Sequence, residues 1–148
     1  MAPEGTYEPS PWDWVKDQVE KIESSGGTEG TTLVETGWSV IVVTMTGVKT
    51  GAVRKVPLMR VEHDGEYAVI GSIGGAPQNP KWVANLRANP NVKIQDGPQI
   101  FEHMVVRELP EGDEREAWWA RAVGAYPPYA EYQQKTERRI PVFVASRA

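Results

Sequence analysis

Two lysines, an arginine and a threonine follow an apolar run in the stretch TMTGVKTGAVRKVPL, residues 44–58. Lys49 and Thr50 stand between two glycines, and Arg54 and Lys55 open the next apolar run. Turn amides and clustered cations bind anions such as phosphate. The spacing does not match a P-loop, which needs G-x-x-x-x-G-K-S/T and a following helix. Two interpretations remain open, namely a turn that clamps an anion and a solvated hairpin tip.

Charge is distributed unevenly along the chain. The net charge is −4, which argues against nucleic-acid binding, yet residues 36–95 contain seven bases and only three acids. A positive segment in an acidic protein concentrates anionic ligands around it. Ordinary surface lysines on strands are the alternative explanation of the same pattern.

Composition excludes several other classes of site. Cysteine is absent, and His63 and His103 have no metal-binding spacing, so we expect no disulfide, thiolate or metal chemistry. No apolar run approaches the roughly 18 residues of a membrane span. The first residues have neither the basic start nor the apolar core of a secretory signal. These features predict a cytoplasmic protein with one domain-sized core in 148 residues.

A helix is predicted at residues 11–23, where Trp12, Val15, Val19 and Ile22 recur at helical spacing. Its polar faces are mainly acidic, whereas binding to anionic lipid favours a basic face. The apolar stripe is therefore expected to cover the core or a partner, with peripheral membrane contact as the open alternative. The following SSGGTEGTT predicts a flexible connector. We expect residues 1–30 to form this helix and connector, and residues 31–148 to form the main domain.

The remaining elements favour an α+β fold that is mainly β. The sequence predicts strands at 38–46 and 54–61, a hairpin at 61–71, a helix within 79–90, two strands within 92–109, helices within 110–126 and 127–139, and a strand at 140–146. Pro57 predicts an edge strand or a bulge, and Asp64-Gly65 predicts a type I′ turn. Trp118 and Trp119 are adjacent and cannot both face inward, so we interpret them as packing residues. Because βαβ alternation is missing, a small barrel is favoured over a Rossmann fold.

Three segments together resemble a known family. They are residues 44–97, with the signatures KTG and GGAPxNPxW, residues 125–144, with YPPYxxYQ, and the connector ESSGGTEG at 23–30. They are similar to the deazaflavin-dependent nitroreductases, which are split-β-barrel oxidoreductases that use coenzyme F420. The similarity covers the chain from about Val19 onward. It implies a split β-barrel of about six antiparallel strands with flanking helices.

The resemblance also implies a cofactor site and identifies the anion. Basic residues of this site would hold the phosphate and oligoglutamate tail of coenzyme F420, and residues 70–75 would lie against the deazaflavin ring. The implied cofactor-binding residues are Val48, Lys49, Thr50, Arg54, Lys55, Val56, Pro57, Leu58, Met59, Ile70, Gly71, Ser72, Ile73, Gly74, Gly75, Lys81, Trp82, Val83, Ala84, Asn85 and Tyr129. Ala76, Asn79 and Pro80 would shape the entry to the pocket.

The implied catalytic residues are Ser72, Tyr126, Tyr129 and Tyr132. The tyrosines are spaced by three, which puts them on roughly one helical face, and core packing is their alternative role. The implied reaction is hydride transfer from the reduced cofactor to an electron-poor acceptor, namely a quinone, an activated alkene or a nitroaromatic. Ile73 stands where some relatives have lysine, so nitroimidazole reduction is the least expected activity.

Two other functions remain open. The same barrel could serve as a non-catalytic container for a cofactor or lipid, or as an oxidase that uses FMN. The signatures KTG and GGAPxNPxW favour the deazaflavin enzyme over the FMN oxidase. We expect a small-molecule acceptor as the partner and a monomer or homodimer as the assembly.

Overall fold

Runs of β-branched residues form the strands of a single sheet. The computed structural model describes residues 3, 5–10, 13–31, 38–72 and 78–148. The elements are α1 (Asp13–Ser24), β1 (Val40–Thr46), β2 (Val53–Met59), β3 (Glu62–His63), β4 (Glu66–Ile70), α2 (Trp82–Ala88), β5 (Asn91–Asp96), β6 (Gln99–Glu108), α3 (Asp113–Ala125), α4 (Pro128–Lys135) and β7 (Val142–Arg147). The strand order is β2-β1-β5-β6-β7-β4-β3, and every strand pair is antiparallel. The predicted α+β class is confirmed.

The two edge strands of this sheet are neighbours in the sequence. Only two residues separate the end of β2 at Met59 from the start of β3 at Glu62. The edges of a flat seven-stranded sheet would lie about 29 Å apart, whereas such a link spans roughly 10 Å. The sheet therefore curls round, and the β3–β4 ladder continues into this link, where the N–H of Ala68 donates to the carbonyl of Val61 (2.9 Å). This confirms the barrel. The described residues contain seven strands instead of about six because β3 is an additional two-residue strand.

Local predictions within the strands agree with the structure. Pro57 lies in the edge strand β2, where its missing N–H costs no ladder hydrogen bond. Asp64 and Gly65 have φ angles of 52° and 82°, the positive values that a type I′ turn requires. The tight connection between β5 and β6 passes through Gly97, whose φ is also positive at 58°.

Helix α1 covers one face of the sheet near β1. Val19 and Ile22 are buried against Val40 and Val42. The prediction that this stripe covers the core is confirmed for these residues and for the buried Val15. Pro11, Trp12 and residues 32–37 of the connector region lie outside the described residues, and the proposed division at residue 30 stays a prediction. Among the described residues no helix has the length and apolarity that crossing a membrane requires.

Helices α3 and α4 pack on another part of the sheet. Trp118 of α3 is buried and Trp119 is half-buried, and both contact one apolar cluster. Both are packing residues, as predicted, and Trp118 is the more deeply buried of the two. The same cluster contains Tyr129 of α4 and Ile70 at the end of β4, so the tyrosine region is joined to the end of that strand.

Candidate functional site

The turn between β1 and β2 is held by its own backbone. The N–H of Gly47 donates to the carbonyl of Ala52 (2.7 Å), and the N–H of Gly51 donates to that of Gly47 (2.9 Å). Gly51 has a φ of 73°, which L-residues with side chains rarely adopt. The hydroxyl of Thr50 accepts from the N–H of Ala52 (3.2 Å) inside the turn. Lys49 is exposed at the tip, where its ammonium can meet a ligand.

Helix α2 is fastened to this turn by Asn85. The Asn85 Oδ1 accepts from the N–H of Val48 at 2.9 Å, and its Nδ2 lies 3.7 Å from the sulfur of Met45. Lys81, immediately before the helix, is exposed. Neither Lys49 nor Lys81 forms a salt bridge with another described residue. Within the described part of the chain, these two cations therefore have no carboxylate partner, and they stand on two elements that are tied together.

The α2 residues predicted for the cofactor site have different surroundings. Val83 is buried in the barrel core, Trp82 packs half-buried against that core, and Ala84 is exposed. Asn85 accepts the hydrogen bond from Val48 in the β1–β2 turn. In this set Lys81 and Ala84 are exposed, whereas Trp82 and Asn85 are half-buried.

Strand alternation divides the predicted site residues of β2 between two faces. Val56 and Leu58 pack against the barrel core, and Arg54 shares their side. Met59 packs against the α1 cluster instead, and Lys55 and Pro57 share its side. Residues 54–59 therefore cannot all line one pocket wall, although the resemblance groups them together.

The two cations of β2 have carboxylate partners from the N-terminal part of the chain. Arg54 Nη1 lies 3.2 Å from Glu8 Oε1. Lys55 Nζ donates to both carboxylate oxygens of Glu23 at 2.8 Å and lies 4.4 Å from the ring centroid of Tyr7. Lys55 is thus engaged with the N-terminal helix, while Arg54 has one longer contact.

The end of β4 packs tightly against α2 and the start of β7. The N–H of Gly71 donates to the carbonyl of Pro141 (2.9 Å), and a Cβ at Gly71 would lie 2.9 Å from Val83 Cγ2. Ser72 follows and is buried, with 8% of its surface exposed. The remaining predictions for this segment, Ile73, Gly74, Gly75 and Ala76, lie outside the described residues.

Alanine at Gly71 is expected to destabilise the fold by about 1–3 kcal/mol, because the new methyl group overpacks the contact with Val83. The free energy of unfolding in urea measures this effect. Gly124→Ala is the matched control, since Gly124 lies in α3 and, apart from its chain neighbours and the helix backbone, no atom is within 4 Å of the position that its methyl group would take. It should stabilise the protein by about 0.5–1 kcal/mol. Equal changes in both variants would contradict the packing explanation.

Arg138 joins the end of β4 to the residues before α2, and sequence reasoning missed it. Its Nη1 donates to the carbonyl of Gly71 (3.1 Å) and to Oδ1 of Asn79 (2.8 Å), and its Nη2 donates to the carbonyl of Ser72 (2.6 Å). Burial lowers the pKa of the Arg138 guanidinium. The adjacent Arg139 is exposed. No local pattern distinguishes these two arginines, so only the fold identifies Arg138 as the half-buried one.

The structure brings the three predicted tyrosines together. The ring centroids of Tyr126 and Tyr129 lie 4.9 Å apart, and the hydroxyls of Tyr126 and Tyr132 are hydrogen-bonded at 2.9 Å. Tyr129 and Tyr132 belong to α4, but Tyr126 caps the end of α3. The expected single helical face is therefore wrong for Tyr126, because the chain turns between the two helices. Trp38 extends the group by packing edge-on against Tyr126 at 4.9 Å.

Two of these tyrosines, Tyr126 and Tyr129, remain protonated at neutral pH. Burial raises the pKa of Tyr129, which is 3% exposed. Burial, and then the hydrogen bond with Tyr132, raises the pKa of Tyr126 to about 12. An aromatic surface with neutral hydroxyls can receive a flat apolar molecule and donate hydrogen bonds to its oxygen atoms.

Comparison with known proteins places the chain in one family. The F420H2-dependent quinone reductase family matches residues 14–147. An F420H2-dependent quinone reductase of Mycobacterium tuberculosis is 35% identical over 103 residues, which cover 69% of each chain.

Two solved structures are more similar in sequence. One is described as an F420H2-dependent reductase, with 54% identity and a TM-score of 0.69 over 72% of this chain and 93% of its own. The other is described as a domain-swapped dimer, with 50% identity and a TM-score of 0.72 over 93% of this chain and all of its own. The chain belongs to the F420H2-dependent quinone reductase family, and it is a split-barrel oxidoreductase whose cofactor is coenzyme F420.

Proposed function

We propose that this enzyme reduces a quinone at the end of β4, beside the tyrosine cluster formed by Tyr126, Tyr129 and Tyr132. The cluster is the observation that carries the proposal. Its rings and Trp38 form an aromatic surface that suits a flat acceptor, and the hydroxyls of Tyr126 and Tyr129 are protonated. Tyr129 shares an apolar cluster with Ile70, so this surface adjoins the strand predicted to face the deazaflavin ring.

The residues present fit the chemistry of the cofactor. Its phosphate and glutamates need cations, and Lys49 and Lys81 have no salt-bridge partner among the described residues. Arg54 extends this cationic group from the neighbouring strand, on the side of β2 away from α1. These three residues would hold the tail, and the backbone at Gly71 and Ser72 would support the ring.

When bound, reduced coenzyme F420 supplies a hydride, and the protein supplies position and hydrogen bonds. Converting a quinone to a hydroquinone takes that hydride and one proton. Negative charge develops on a quinone oxygen, and a buried hydroxyl that donates to this atom lowers the barrier. The Tyr129 hydroxyl donates this hydrogen bond and supplies the proton to the quinone oxygen. Solvent then returns a proton to Tyr129. Ser72 is the second candidate donor, from the end of β4.

Replacing Tyr129 by phenylalanine is expected to lower kcat about 100-fold, the usual cost of one donor to a developing oxyanion. Cofactor affinity should stay unchanged, because the lost hydroxyl serves the acceptor. Steady-state kinetics and a binding titration separate the two quantities.

Tyr67→Phe removes the same atom elsewhere, since the Tyr67 hydroxyl donates to Asp96. This control should lose stability and keep its turnover. Normal kcat in the Tyr129 variant would remove Tyr129 from the mechanism.

The acceptor class is tested by mixing the protein with reduced coenzyme F420 and menadione under anaerobic conditions. Oxidation of the deazaflavin chromophore should be faster than in the absence of protein. An enone and a nitroaromatic, tested in parallel, rank the alternative acceptors. Family membership already favours a reductase over a non-catalytic container or an FMN-dependent oxidase. If only the enone or the nitroaromatic is reduced, the quinone assignment is wrong.

The proposal also covers the oligomeric state of the protein and its location in the cell. The relative described as a domain-swapped dimer supports a homodimer, because it matches 93% of this chain. Cytoplasmic location and peripheral contact of α1 with a membrane surface stay predictions from the sequence. Trp14 is 62% exposed on α1 and is the residue we propose for such contact.

A further inference from the structure

The N-terminal segment is docked on the edge strand that contains Arg54. The N–H of Val53 donates to the carbonyl of Thr6 (2.8 Å), and the N–H of Glu8 donates to the carbonyl of Val53 (2.8 Å). Tyr7 thereby forms a parallel bridge with Val53. These backbone contacts bring the Glu8 carboxylate to Arg54.

The two ion pairs on β2 differ in how firmly they are held. The Lys55–Glu23 pair has two contacts of 2.8 Å, and its side chains are 17% and 28% exposed. The Arg54–Glu8 pair has one contact of 3.2 Å, and its side chains are 30% and 55% exposed. A half-buried, doubly bonded pair resists exchange, whereas a more exposed pair with a single contact contributes little stability. Glu8 is therefore the carboxylate that a ligand can replace.

We propose that Glu8 is an internal competitor for the carboxylates and phosphate of the cofactor tail at Arg54. The inference rests on the proposed placement of the tail. Glu8 offers Arg54 the same chemical group that each glutamate of the tail offers. Binding at Arg54 then exchanges one carboxylate for another, so the gain in affinity is only the difference between the two contacts. Glu8 thus reduces the affinity for anionic tails and makes it depend on ionic strength.

This competition assigns different roles to the three cations of the β1–β2 unit. Lys49 has no salt-bridge partner among the described residues and meets the tail without exchange. Arg54 meets it after Glu8 has moved away. Lys55 stays with Glu23 and holds α1 on the barrel.

The experiment measures the affinity of Glu8→Gln for coenzyme F420 by calorimetric titration at low and high ionic strength. Removing the competitor should raise the affinity about two- to fivefold at low ionic strength, the range given by a surface ion pair. The gain should shrink in salt, which screens exposed charges. It should vanish when Arg54→Ala is added to the variant.

Glu20→Gln is the matched control for net charge. Glu20 lies on the same helix as Glu23, and it pairs with Lys16 (4.0 Å) instead of Arg54. Its affinity should equal that of the unmodified protein. A deazaflavin lacking the phosphate and glutamates should bind both Glu8 forms equally, because it has no anionic tail.

The outcomes separate this inference from the proposed function. If coenzyme F420 binds the Glu8→Gln variant no more tightly than the unmodified protein, the competition is disproved while the cofactor site stands. The competition is also disproved if the Glu20→Gln control shows an equal gain, since general charge then explains it. If neither the unmodified protein nor the Glu8→Gln variant binds the coenzyme, the proposed placement of the tail is disproved, and the competition that rests on it is disproved with it.

Discussion

Replacing Lys49 and Arg54 together by alanine is expected to weaken the binding of coenzyme F420 at least about tenfold at low ionic strength. The charge-assisted contact of Lys49 with a phosphate or carboxylate contributes about 1.5 kcal/mol, and every 1.4 kcal/mol is about tenfold in affinity. Arg54 adds only the difference between its contact with the tail and its contact with Glu8. Calorimetric titration of the apoprotein measures the change directly. The difference from the unmodified protein should narrow as salt is added, because exposed charges are screened.

Lys55→Ala is the matched control for this prediction. Its ammonium is held by Glu23, on the α1 side of β2, so removing it should leave cofactor affinity unchanged. The same change should lower the free energy of unfolding, because Glu23 loses its half-buried partner. A large loss of affinity in Lys55→Ala, or none in the double variant, would show that the tail lies on the other face of the strand.

Replacing Arg138 by methionine is expected to lower kcat about 100-fold while the protein stays folded. The guanidinium holds the carbonyls of Gly71 and Ser72 and the amide of Asn79, so it sets the position of the β4 end. Displacing a reacting partner by about 1 Å can cost about two powers of ten in rate. Arg138 touches no reacting atom in the proposed reaction, so it is a positioning residue.

Three comparisons distinguish positioning from a general loss of structure. Arg139→Met changes the exposed neighbour, which pairs with Glu111, and should keep its turnover. Adding guanidinium at non-denaturing concentration to Arg138→Ala should restore part of kcat, which a merely unstable protein would not show. Lysine at Arg138 should be intermediate, because it lacks the planar fork. Full turnover in Arg138→Met would refute the assignment.

Short-range chemistry explains why most of the elements are predictable. The Asp64-Gly65 pair specifies its own turn, since both residues adopt the positive φ that the turn needs. The β-branched run of β1 is buried on both sides, as an interior strand requires. Pro57 marks the edge of the sheet because it has no N–H to donate. None of these properties depends on a distant residue.

The candidate site is predictable only in part. The sequence identifies the turn with Lys49 and the tyrosines near residue 129, and the structure brings those tyrosines together. Their arrangement differs from expectation, since Tyr126 belongs to the end of α3 rather than to α4. Residues 73–75, predicted to face the ring, lie outside the described residues and stay a prediction.

The positions of strands, helices and turns follow from neighbouring residues, because backbone propensity and apolar period are local properties. The pairing of each cation with its carboxylate, and the choice of the arginine that holds the end of β4, follow from the folded barrel alone. Lys55 meets Glu23 across 32 positions, and Arg138 reaches Gly71 across 67. Strand register and the closing of the barrel select such partners, and no local spacing encodes either.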